Sequence, residues 1–210
     1  MESSTLKEKR DETVRRILDA ATEVFAEVGF AGARVDEIAK RARVNKATIY
    51  YRVGDKKALY AEVLHDIFSD VAERMARNIK GAQSPEKKMK NYILNIVHTI
   101  GKHPHGPSIM LWEIASGGLH FPEIVVKDFA HILGMLMAFL EEGVKKGVFI
   151  ELNPLILHLM IAGGTIFHKT AESIWTKQAV ENKLPEKWQK TISGDLAQEI
   201  EKIVLRAMKK

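Results

Sequence analysis

Lys46, Ala47, Thr48, Tyr50, Tyr51 and Arg52 surround a single large aliphatic residue, Ile49, in a helical pattern. Cations and hydroxyls so arranged can bind phosphate oxygens and reach base edges, and the Ala47 methyl can meet a thymine methyl. The charge around them is concentrated. Between Arg34 and Lys57 stand eight bases and three acids, whereas the remaining 24 bases and 24 acids balance, so the net charge of +5 sits in this stretch. Such an asymmetry points to a polyanion, and DNA fits best. Arg34, Tyr51 and Lys56 are the candidate phosphate ligands; Lys56 also begins a helix, whose first amides favour an anion.

Other chemistries lack their residues. The chain has no cysteine, hence no disulfide, thiolate metal site or thiol nucleophile. His103 and His105 flank Pro104 with no carboxylate at ligand spacing, and His158 and His168 are too far apart on a helix to share an ion. There is no phosphate-cradling glycine loop, nucleophile elbow or HExxH. Neither a metal, a cofactor nor a catalytic residue is expected, and the chain reads as a non-enzyme.

The elements that position the basic stretch follow from periodicity. Met1–Arg10 is polar and reads as a mobile arm. Val14, Ile17, Leu18, Ala21, Phe25 and Val28 predict a first helix stopped by Gly29. Val35, Ile38, Ala39 and Ala42 predict a second, and Asn45 caps a third. Asp55 caps a fourth of about 25 residues, to Lys80, with Leu59, Val63, Ile67, Val71, Met75 and Ile79 on one face. Helices follow from Pro85, from about Ser108, from Pro122, from Leu155 to Trp175 and from about Gly194. Lys177–Ser193 reads as irregular, and no strand pattern is present. The expected fold is all-α with about nine helices. An N-terminal three-helix helix–turn–helix head (residues 1–56) precedes a larger helical ligand-binding and dimerisation domain (57–210).

The run GFAGARVDEIAKRARVNKATIYYRVGDKKALYAEVL resembles the DNA-binding signature of the TetR family of bacterial transcriptional regulators. The likeness covers roughly the first 65 residues and includes Gly29-Phe30, Ile38-Ala39, Val44, Lys46 to Tyr50, Lys56 and Leu59. Two departures stand out. Ala33 and Arg34 replace the family's hydroxyl residues ahead of the second helix, and Arg43 replaces its turn glycine, so that the resemblance implies a left-handed conformation at Arg43. The resemblance implies a dimer that binds DNA, usually represses, and lets go when a small effector enters the second domain.

Composition supports an apolar effector pocket in that domain, since it is rich in Met and aromatic residues with few polar tips. Phe68, Tyr92, Ile96, Met110, Trp112, Phe129, Leu133, Met137 and His168 are the candidate lining. The eighth helix is apolar nearly all round, so a second copy is its natural cover. The sequence thus predicts a cytoplasmic homodimer on a palindromic operator, released by a small apolar or aromatic effector. No run is long enough to span a membrane. Two alternatives stay open: an effector-independent DNA binder, and a helical carrier or enzyme reusing the fold.

Overall fold

The structure is a computed structural model. It describes the backbone of residues 2–80, 82–180, 185 and 195–209, and the side chains of 12–78, 82–177, 185 and 195–209. Among these the chain forms nine helices: α1 (Glu2–Gly32), α2 (Val35–Ala42), α3 (Lys46–Arg52), α4 (Lys56–Lys80), α5 (Pro85–Lys102), α6 (Gly106–Ala115), α7 (Glu123–Lys145), α8 (Pro154–Val180) and α9 (Leu196–Met208). One isolated bridge, Phe149 to Lys209, is the only extended pairing among the described residues. The expected caps of α3 and α4 are in place, and two further helices are capped in the same way. Asn45 accepts from the Thr48 amide, Asp55 from that of Ala58, Ser84 from that of Lys87, and Asp195 from those of Ala197 and Gln198. The polar arm expected at Met1–Arg10 is instead helical from Glu2, continuing α1. Its Lys and Glu residues are good helix formers, which a reading from apolar periodicity overlooks. The irregular segment expected at 177–193, and the Ile79 side chain, lie outside the described residues.

Two compact units result: residues 1–68 with 108–127, and residues 69–107 with 128–210. The boundary expected after residue 56 does not coincide with them. Leu59, Tyr60, Val63 and Leu64 of α4, Ile109 of α6 and Val125 of α7 belong to the same core as Ile17, Phe25, Ile38 and Ile49. These further residues complete the core that the first three helices begin. Within this unit the Phe25 and Tyr60 rings meet edge-on at 4.7 Å, with Phe30 packed on both. Arg41 locks α2 to α1: its guanidinium donates to both Glu27 oxygens at 2.6 and 2.7 Å and to Glu37 at 2.9 Å.

The second unit is built on Met75, Met89, Tyr92, Ile93, Ile96, Leu136, Phe139, Leu157, Ile161, Val204 and Met208, all buried. Two polar clusters sit in it. Asp70 accepts from Arg74 and Lys102, with His103 3.4 Å away. Burial alone would raise its pKa, but the Arg74 and Lys102 hydrogen bonds outweigh this and hold it down to about 2. A carboxylate thus does approach His103, out of α4, but it is already paired with cations.

The second cluster is the buried Tyr92 hydroxyl against Nδ1 of His158, whose ring also meets Phe129 edge-on at 5.1 Å. Burial pushes the Tyr92 phenol up and the His158 imidazole down to about 4, so the hydroxyl donates to a neutral ring. Because the folded pKa lies below the unfolded value of about 6.5, the unfolded chain binds more protons in between. Stability is therefore full above about pH 6.5 and falls as pH drops toward 4, by at most about 1.4 kcal/mol per unit from this group. Urea unfolding at several pH values should show that slope, and His158→Phe should flatten it. An unchanged slope in the variant would assign it elsewhere. Asp70 contributes only in a lower window, between its unfolded value near 4 and about 2.

Candidate nucleic-acid interface

The helix–turn–helix corner is closed by backbone bonds that need an unusual residue. Val44 N–H reaches Ala39 O at 3.0 Å, and Arg43 N–H reaches Lys40 O at 3.2 Å. This doubly bonded stop requires a left-handed residue between the helices. Arg43 adopts it, at φ 55° and ψ 46°, and is the only non-glycine with positive φ among the described residues. An L side chain costs about 1–2 kcal/mol in that conformation. Arg43→Gly is therefore expected to be neutral or to stabilise by about 1 kcal/mol in urea melts. A clear loss of stability would mean that the Arg43 side chain holds something in place. Arg34, at the start of α2, makes no side-chain cap, as its replacement of a hydroxyl residue implies.

From this corner α3 projects outward with Ile49 fully buried beneath it. Lys46, Ala47, Tyr50 and Tyr51 are exposed, and Thr48 and Arg52 are half-buried. Tyr51 is the most open of them at 77%, and Arg52 lies 5.8 Å over its ring. Two large aromatics left in water on a seven-residue helix are costly unless a partner covers them. All six candidates of α3 are thus on one short element, beside the exposed Arg34, Lys40 and Arg43.

The cations are not equally available. Arg41 is consumed by Glu27 and Glu37. Lys46 Nζ sits 3.0 Å from Asp36, an exposed pair that solvent screens and a base or phosphate can replace. Thr48 Oγ1 donates to Asn45 Oδ1 at 2.7 Å, so its methyl and the two acceptor lone pairs of its oxygen are what remain to offer. Lys56 begins α4, as expected, and its Nζ donates to Phe30 O at 2.8 Å and Ala33 O at 3.1 Å and lies 4.4 Å over the Phe30 ring. It holds the carbonyls at the end of α1. Periodicity could flag Glu37–Arg41 at i,i+4, but no sequence signal pairs Arg41 with Glu27 or Lys56 with Phe30.

The candidate effector residues divide between the two units. In the first, Phe68 meets Phe121 edge-on at 5.9 Å, Met110 packs on the core, and the half-exposed Trp112 donates its indole N–H to Ala26 O at 3.2 Å. In the second, Tyr92 and Ile96 are buried, Phe129 and Leu133 are half-buried, and Met137 is 44% exposed. His168 Nδ1 is buried with no hydrogen-bond partner, and so is Thr99 Oγ1 of α5, a polar tip that the sequence did not single out.

Residues 17–63 match the family model described as "Bacterial regulatory proteins, tetR family". The chain is 29% identical over 167 residues to the HTH-type transcriptional repressor NicS of Pseudomonas putida, covering 78% of each protein. It is 30% identical over 153 residues to the HTH-type transcriptional repressor SCO4008 of Streptomyces coelicolor, covering 71% of this chain and 75% of that one. Among solved structures, HlyIIR, a hemolysin II transcriptional regulator, superimposes with a TM-score of 0.63 at 25% identity, over 96% of this chain and 99% of that one. Bacillus subtilis FadR, solved with stearoyl-CoA, gives 0.67 at 21% identity over 92% and 98%; at that identity the likeness speaks for the fold. Together with the exposed, cationic third helix, these matches show that the chain belongs to the TetR family of bacterial regulatory proteins.

Proposed function

We propose that the protein is a transcriptional repressor that binds a palindromic operator as a homodimer and leaves it when a small apolar molecule enters the second unit. The observation that carries the DNA-binding part is α3. It buries one residue, Ile49, and gives Lys46, Ala47, Tyr50, Tyr51 and their neighbours to the outside. Lys46, Ala47, Thr48, Tyr50 and Arg52 read bases; Arg34, Tyr51 and Lys56 contact phosphate. The named repressors among its relatives support repression over activation. A DNA-reading role also makes the protein a cytoplasmic non-enzyme; no described helix is long and apolar enough to cross a membrane.

Dimerisation is supported by the outer face of α8. Ile156, Leu159, Met160, Phe167 and Ile174 are each more than half exposed, and Ile203 of α9 is 64% exposed. Stable protomers do not leave such a stripe in water. Paired α8 and α9 helices would bury about 2,000 Å² or more if the dimer is obligate. They would set the heads about 34–36 Å apart, one turn of DNA.

For the effector, Phe129 and Leu133 supply apolar surface, and the unpartnered His168 Nδ1 and Thr99 Oγ1 are polar groups that could orient a guest. A guest can weaken DNA binding only by its differential affinity for two arrangements, typically about 1–3 kcal/mol. By reciprocity operator DNA must weaken the guest equally. Titrating the neutral dye Nile red into the protein, with and without bound DNA, reads this directly. A lower dye affinity with DNA supports the switch; equal affinities would leave an effector-independent DNA binder.

A further inference from the structure

The first unit contains two cavities, of about 250 and 240 Å³, that share the Phe30 and His120 rings, themselves 4.3 Å apart, as lining. The smaller is bounded by Gly29, Phe30, Trp112, Glu113, Ser116 and His120. Glu113 is the unusual member. It is 3% exposed, its Oε1 accepts from the Tyr60 hydroxyl at 2.8 Å, and its Oε2 is buried with no hydrogen-bond partner. A buried carboxylate oxygen left unpaired carries an uncompensated desolvation cost, which a donor placed beside it would relieve. No lysine or arginine lines this cavity.

The remaining walls favour the same kind of guest. Trp112 and Phe30 offer aromatic surface, and Phe30 already accepts one cation, Lys56, 4.4 Å from its ring centre. Aromatic faces attract ammonium and amidinium groups as well as flat hydrocarbon. Gly29, at φ +67°, keeps this wall tight: a Cβ there would stand 3.1 Å from the Trp112 ring. The volume suits a single ring with a short tail.

We propose that this cavity, between the end of α1 and α6, is a binding site for a small aromatic amine: the Glu113 carboxylate, whose Oε2 is covered, turns to accept from the ammonium while the ring lies against Trp112 and Phe30. The site lies wholly within the first unit and shares no lining residue with the second, for which the apolar effector pocket is proposed. Its existence does not depend on that pocket.

The test uses the full chain labelled with 5-fluorotryptophan, in which the Trp112 fluorine resonance is identified by its loss in Trp112→Phe. The probe is phenethylammonium chloride, with 2-phenylethanol as its uncharged counterpart and sodium chloride as the ionic control. Saturable movement of the Trp112 resonance is expected by about 10 mM amine, at least about tenfold weaker with the alcohol. Glu113→Gln should remove that preference while keeping an acceptor for Tyr60, and Ser116→Phe should block both compounds by filling the space. If Glu113→Gln disturbs the fold, as the fluorine spectrum would show, the comparison of the two compounds and the Ser116→Phe variant still decide. No movement of Trp112, equal response to amine and alcohol, or full amine binding by Ser116→Phe would each overturn the proposal.

Discussion

Placing one carboxylate on the outer face of α8, by Gly163→Glu, is expected to convert the dimer to a monomer and to remove most operator affinity. Gly163 and Gly164 are exposed, and a Cβ built on either meets nothing within 4 Å inside the protomer. A side chain there costs the single chain nothing sterically, and a mid-helix glycine is itself about 1 kcal/mol poorer than alanine. Two adjacent glycines in the apolar first half of this helix therefore make sense where a second backbone comes close. A charge buried unpaired at such a contact costs about 3–5 kcal/mol, more than a hundredfold in dimer affinity. Operator binding then loses the linkage between heads, worth roughly 100- to 10,000-fold. Ile203→Glu on α9 should do the same. Sedimentation measures the first effect and DNA titration the second. Gly163→Ala separates the causes, since it should stabilise the protomer helix yet weaken the dimer. A Gly163→Glu protein that stays dimeric would place the interface elsewhere.

Removing the Tyr50 side chain should cost about 1–3 kcal/mol on the preferred DNA and relax selectivity at one position of each half-site. Tyr50 is 49% exposed on α3, where it faces outward one residue after the buried Ile49. Arg34→Ala should behave differently, weakening all sequences alike and lowering the salt slope by about one. Lys56→Ala should combine a phosphate effect with a lower melting temperature, because its ammonium also satisfies the Phe30 and Ala33 carbonyls. Binding to a panel of single-base variants at several salt concentrations distinguishes these roles. Uniform loss for Tyr50→Ala would remove it from the base-reading set.

The basic stretch, the buried Ile49, the Asn45 cap and the left-handed Arg43 were all legible in the sequence, because each rests on local spacing or on one backbone conformation. The extent of the first unit was not. That Tyr60, Ile109 and Val125 share a core with α1 depends on contacts distant in sequence, which periodicity does not encode. For the same reason the basic count overstated the charge open to DNA, since Glu27 reaches Arg41 from another helix. The apolar residues of α8 were legible as unpartnered, whereas an effector lining drawn from composition ran together residues of two units. Met and aromatic content reports softness, and cannot say which side chains face one space.

Selection of bound duplexes from a random DNA pool tests the central claim most directly. A two-fold symmetric consensus is expected, with half-site centres about 10–10.5 base pairs apart or a multiple of that. An unenriched pool, or a lone asymmetric site bound by one head, would contradict it.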